Sequence, residues 1–206
     1  PQSLPNSGIY SLEVDDFGTV WAAGNCSIHF KPIGEVVWSE YDYCNLNIET
    51  PSDMMIIGDS VYLATTNTGV HILEYTTSSS SGSVSVSVDS QTDWSTQNFL
   101  SSDQITDLEV VGNHLLIATN DAGINRRDLN SQSWIATWST NNWLASDQGH
   151  GLSLTTGWLH ILAGTTVNSY DTRTRIFQSQ NQLSELGLVQ NGATAIPWPA
   201  HPGRGP

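Results

Sequence analysis

The sequence predicts an all-β protein: a β-propeller of four-stranded antiparallel blades, with four readable blades plus a partial fifth. Three observations carry this. The chain repeats itself at roughly forty residues, the period of a propeller blade. Each unit strings together short strands separated by turn residues. No stretch shows the apolar 3.6-residue period of a helix.

Two anchors define the repeat. An aromatic residue precedes an apolar one at a fixed spacing in Trp38–Cys44, Trp94–Leu100 and Trp138–Leu144, with a fainter copy at Phe177–Leu183. The second anchor is a short apolar run, GTVWAAG at Gly18–Gly24. It recurs as DSVYLAT from Asp59, NHLLIAT from Asn113 and GWLHILAG from Gly157, which aligns Trp21, Tyr62, Leu116 and His160. In the third unit, Ile105–Val111 alternates apolar and polar residues as a half-buried strand does, and Leu115–Thr119 is a short apolar strand. Ile124–Leu129 and Trp134–Trp138 complete the four strands. Radial stacking covers both faces of a blade, which accounts for the apolar second strands.

The expected organisation is one domain over 1–206, a whole propeller or a segment of one. Its blades fall near 4–44, 45–100, 101–144 and 145–183, followed by a partial unit at 184–196 and a Pro-rich tail at 197–206. Prolines cannot sustain a central strand, so the tail ends the pattern. The chain opens at Pro1 on what already reads as a repeat, as a processed or excised piece does. Closure is left open: an arc of a longer propeller, several copies combining, or a closing strand from the tail. The second unit carries an insertion, Thr76–Asp89, a serine run followed by alternating Val84, Val86 and Val88. It predicts a lengthened hairpin between the third and fourth strands, either a recognition finger or a tolerated surface insertion.

The chain has 206 residues, with 20 acidic against 6 basic side chains and a net charge of −14; Lys31 is its single lysine. Such a field repels phosphate backbones and anionic lipid, which argues against nucleic acid and membrane surfaces and leaves basic proteins and neutral or cationic ligands. No apolar run is long enough to cross a bilayer as a helix. The polarity comes mainly from Ser, Thr, Asn and Gln, a surface that suits an extracellular, cell-surface or periplasmic protein.

The stretches Asn6–Trp21 and Gln104–Asp128 resemble the two-component-regulator propeller repeat. Units of that family run as an Asn-containing start, a strand, a D-x-x-G-x-L-W-x-G-T hairpin and then G-G-L-x-R-Y-D. The resemblance covers Leu4 to about Phe177. It implies a periplasmic or extracellular sensor-type propeller whose blades scaffold ligand or protein interactions.

Candidate chemistry is sparse. Asp16–Trp21 is similar to the Asp-box turn of sialidase-type propellers, although Val14 stands where that motif carries Ser or Thr, and the arginines do not cluster with the partners such an enzyme needs. The histidines show no metal-ligand spacing. His160 aligns with packed residues of the other blades, and His150, between two glycines, either faces the central channel or marks a tight backbone approach. Asp53, Asp103, Asp107 and Asp147 sit near blade starts, where carboxylates either bind Ca²⁺ or cap turns in solvent. Cys26 and Cys44 emerge on one rim, as a disulfide or as two thiols. The same rim carries Tyr43, Phe99 and Trp143, rings that either stack on a ligand or seal the seams between blades. The expected function is therefore a non-catalytic extracytoplasmic module for protein or ligand binding or assembly, with no metal and no cofactor. Two alternatives stand beside it: a structural self-assembling surface subunit, with a homo-oligomer completing the propeller, and a carbohydrate-active, sialidase-like enzyme.

Overall fold

The computed structural model describes residues 8–182 apart from 45–47, 49 and 81–82. Four sheets of four strands follow one another. The first is β1 (Ile9–Val14), β2 (Val20–Gly24), β3 (Ser27–Lys31) and β4 (Ser39–Asp42), and the second β5 (Pro51–Ile57), β6 (Ser60–Thr65), β7 (Val70–Ser80) and β8 (Ser83–Trp94). The third is β9 (Ile105–Val111), β10 (His114–Thr119), β11 (Ile124–Asp128) and β12 (Trp134–Trp138), and the fourth β13 (Gly149–Thr155), β14 (Trp158–Ala163), β15 (Thr166–Asp171) and β16 (Ile176–Gln182). Each sheet is ordered as the chain runs, antiparallel throughout, and β1 meets β5, β5 meets β9 and β9 meets β13. These are propeller blades, with the first strand of each innermost. The partial fifth unit at 184–196 and the tail lie outside the described residues.

The blades cohere through three apolar seams. Trp21, Phe30 and Ile28 of blade one meet Met54, Leu63 and Tyr75 of blade two. Tyr62, Ile72 and Trp94 meet Leu108, Leu115 and Ile117, and Leu116, Ile124 and Trp138 meet Leu159, Ile161 and Ala163. A polar series runs along the inner strands beside them. The Oγ of Ser11 accepts the N–H of Met54 at 3.2 Å, Oδ2 of Asp53 that of Leu108 at 2.9 Å, and Oδ2 of Asp107 that of Leu152. Each side chain thus ties its own blade to the backbone of the next.

The insertion forms the lengthened hairpin expected of it: β7 and β8 pair from Val70 opposite Trp94 out to Ser80 opposite Ser83. The first anchor needs correction in two blades. Ala23, Ala64 and Ala118 pair with Ile28, Val70 and Ile124, whose partners on the outer strand are Tyr41, Trp94 and Trp138. Tyr41, not Trp38, is therefore the blade-one equivalent, and Trp38 lies before β4 under the Lys31 ammonium, 5.5 Å from its ring centre. In blade four, Phe177 pairs with Tyr170, as Trp134 pairs with Arg127, so Phe177 matches Trp134 instead. Sequence spacing misaligned both because the outer strands differ in length, with 4 residues in β4 and 7 in β16.

Blade one has no sheet against its leading face among the described residues. Leu12 is 61% exposed, whereas Met54 and Leu108, at the same register, are 0% and 3% exposed.

Candidate functional site

The topology creates two rims. One carries the turns between second and third strands and the connections from blade to blade; the other carries the remaining hairpin turns. On the first rim, blades two and three leave by the same turn. The carbonyl of Ser95 accepts the N–H groups of Asn98, Phe99 and Leu100, and Asp103 accepts both the N–H and the hydroxyl of Thr96. Ser139, Asn142, Trp143, Leu144, Thr140 and Asp147 repeat this arrangement residue for residue. Asp103 and Asp147 are thus turn-capping carboxylates, while Asp53 and Asp107 are inter-blade ties. Among the described residues, no group of three or more His, Cys, Asp or Glu side chains is placed to hold a metal.

The turn pushes Leu100 and Leu144 inward and Phe99 and Trp143 outward, where the rings are 50% and 52% exposed. Each stacks one face on the next blade: Phe99 on Trp134 and Trp143 on Phe177. Trp94 meets Trp134 edge-on, and Trp138 meets Phe177 in the same way. The rings therefore seal the seams and still present one face outward.

Tyr43 departs from this pattern. It is fully buried, donates its hydroxyl to the carbonyl of Gly24 and its N–H to that of Cys26, and presents no face to a ligand. In blade one Tyr43 instead follows Tyr41 into the core, and Cys44 is left outside. Cys44 is joined to Cys26 by a disulfide, with Cα atoms 4.4 Å apart.

His150 is exposed and is the extra residue of a bulge, between Gly149 opposite Ala163 and Gly151 opposite Leu162. The tight approach expected there is found at Gly149, where a Cβ would lie 3.0 Å from the carbonyl oxygen of Thr119. His160 is half-buried, 3.2 Å from the Ser169 hydroxyl, and burial lowers its pKa. In the Asp-box-like turn the working carboxylate is Asp15, not Asp16: it accepts the N–H groups of Phe17 and Thr19 and the indole N–H of Trp21 at 3.0 Å. His71 lies 2.9 Å from the Thr68 hydroxyl and 2.7 Å from Asp93, a relay-like array. Asn125 and Asn168 hold the register position of His71 in the next two blades, where they accept the N–H groups of Ser101 and Ala145. The array is thus one version of a recurring polar tie.

The opposite rim holds a feature that motif reading missed. A cavity of about 510 Å³ opens between blades three and four, lined among others by His114, Leu116, Arg126, Trp138, Leu154 and Tyr170. The Arg126 guanidinium lies 4.6 Å over the Trp138 ring, and its buried Nε has no hydrogen-bond partner. The available signal was composition by position: four of the chain's five arginines, Arg126, Arg127, Arg173 and Arg175, come from this one pair of blades.

No family model matches the chain, and no curated protein matches it. Its fold is that of several solved propellers. The extracellular domain of BT3049 from B. thetaiotaomicron, named as a hybrid two component system, superimposes with a TM-score of 0.58 at 16% identity. That match covers 85% of this chain and 25% of that one. The extracellular domain of BT4673 from the same organism, named as a one component system, gives 0.62 at 14% identity over 84% of this chain and 24% of that one. The computationally designed Ika4 protein gives 0.57 at 13% identity, over 83% of this chain and 95% of that one. The chain thus spans about a quarter of the two extracellular domains. These likenesses establish the propeller fold that the repeat predicted and the resemblance implied.

Proposed function

We propose that this chain is a non-catalytic, extracytoplasmic propeller module that docks a ligand or protein partner on the rim of blade-to-blade connections. The observation that carries it is the pair of half-exposed rings, Phe99 and Trp143, on duplicated rigid turns. Aromatic faces held by a scaffold cost little conformational entropy when they bind. The extracellular domains with the same fold and the Cys26–Cys44 disulfide support the location. The expected result on glycan and peptide arrays is binding without turnover, lost in Phe99→Ala and Trp143→Ala. Hydrolysis of a bound glycan, abolished by one carboxylate substitution, would reinstate the enzyme reading; binding unchanged in both ring variants would move the site off this rim.

The leading face of blade one favours a second reading, a self-assembling subunit, because Tyr10, Leu12 and Val14 stand exposed on it. Its mark is closed rings or fibres in solution; a monomeric mass at high concentration removes it.

A further inference from the structure

Strand pairing shows that the repeat fills every seam between blades with the same three positions. On the second strand stand Trp21, Tyr62 and Leu116, paired on the third strand with Phe30, Ile72 and Arg126. The following blade supplies Tyr75, Leu129 and Thr172, whose N–H groups bond the carbonyls of Asp59, Asn113 and Gly157. The first seam is thus filled by Trp21, Phe30 and Tyr75, with Trp21 centred 5.2 Å from Phe30 and 4.7 Å from Tyr75. The second uses Tyr62, Ile72 and Leu129. The third has Leu116, Arg126 and Thr172: smaller residues than Trp21 or Tyr62 on the second strand and than Tyr75 or Leu129 from the following blade, and a cation where Phe30 and Ile72 are hydrocarbon. The cavity is the space this leaves.

Architecture explains what recurs, so the exception needs a reason of its own. A guanidinium in an apolar seam is costly to desolvate. The second seam has Ile72 at this position, and the guanidinium over its Trp94 is that of Arg127, which donates a hydrogen bond to Gln132, as Arg126 does to no residue. Among the described residues Arg126 is met by the face of the Trp138 ring, 4.6 Å from its guanidinium, and by no anion. It makes no ion pair or hydrogen bond, and burial lowers its pKa. Asp128, on the same strand, is engaged by the N–H groups of Asn130 and Ser131 and lies 3.8 Å from His114. Asp171 is held by the backbone and side chain of Arg173.

We propose that this cavity binds a small organic carboxylate, with Arg126 taking the carboxylate and Leu116, Trp138, Leu154 and Tyr170 covering its apolar body. A guanidinium fork matches a carboxylate in a bidentate geometry, and the space suits a small ligand. Arg175, exposed on the same cavity, adds a second positive charge. The chain's overall charge turns anions away at long range, but attraction within a few ångströms of Arg126 is little screened. The site is on the rim opposite Phe99 and Trp143 and does not depend on them.

Calorimetric titration with benzoate, its neutral isostere benzamide, and sulfate tests this. Benzoate is expected to bind saturably, at least about tenfold tighter than benzamide or sulfate. Arg126→Ile, which installs the residue of blade two, is expected to abolish that preference while raising Tm. Thr172→Tyr, which restores the filling of the first seam and keeps Arg126, is expected to abolish benzoate binding, and it decides the matter if the first variant misfolds. Absence of benzoate binding, equal binding of benzamide, sulfate binding as tightly as benzoate, or benzoate affinity unchanged in a folded variant of either kind overturns the proposal.

Discussion

Phe99 stacks on Trp134 across the boundary between blades two and three, with ring centres 5.6 Å apart and planes 17° from parallel. Trp143 and Phe177 repeat the relationship one blade later at 5.7 Å and 11°. A stacked pair across a seam adds stability beyond the area it covers. Phe99→Ala is expected to lower unfolding free energy by about 1–2 kcal/mol in urea titration. The coupling of Phe99→Ala with Trp134→Ala in a double-mutant cycle isolates the pair; zero coupling contradicts the seam-sealing role.

The Cys26–Cys44 bridge closes a loop with a sequence separation of 18. Cross-linking a loop of that length stabilises by about 3 kcal/mol, mainly through the unfolded chain. Reduction, or Cys26→Ser with Cys44→Ser, is expected to lower Tm while leaving the far-UV spectrum of the folded protein unchanged. An unchanged Tm on reduction counts against it.

Burial, helped by the adjacent Asp53 carboxylate, pushes the Asp107 carboxyl from 3.8 up to about 8. A folded pKa above the unfolded one means that this group favours folding fully below about pH 4, and that the advantage is lost as pH rises through 8. Asp107→Asn keeps an acceptor for the Leu152 N–H and removes the titration. Its stability is expected to vary less than that of the wild type between pH 4 and 8, with the gain largest at the alkaline end. Parallel pH profiles for the two proteins contradict this.

Gly69 and Gly123 open the third strands at φ +86° and +81°, and a Cβ on either would stand 2.1 Å from the carbonyl oxygen of Trp94 or Trp138. That oxygen is backbone and cannot rotate away. Gly123→Ala is expected to cost more than about 3 kcal/mol by chemical unfolding. Gly112→Ala, with open space at its Cβ, is expected to be far milder.

The fold was legible because blades are local: a hairpin pattern such as Ile105–Thr119 announces itself, and stacking only repeats it. Register was less so. Trp38 shares the spacing of Trp94 but not its place, since the pairing of Tyr41 with Ile28 depends on strand ends that spacing does not encode. Phe99 and Trp143 were found because they recur; Tyr43 shared their position in the alignment and not their surroundings. Arg126 was missed because its meaning lies in a comparison with Phe30 and Ile72, which requires the strand pairing. The carboxylates of Asp53 and Asp103 looked alike in sequence, and only the fold separates an inter-blade tie from a turn cap.

The inner-strand ties through Ser11, Asp53 and Asp107 all reach forward, and the series stops at Gly151, which has no side chain to extend it. The amides of Met54, Leu108 and Leu152 are each guarded by the sheet before them. If blade one frays, the amide of Met54 loses its guard and exchanges with solvent. If blade four frays, Met54 and Leu108 stay bonded. The asymmetry is one of exposure: loss of blade one bares an inner-strand amide of the blade that remains, whereas loss of blade four bares none on the inner strand of blade three.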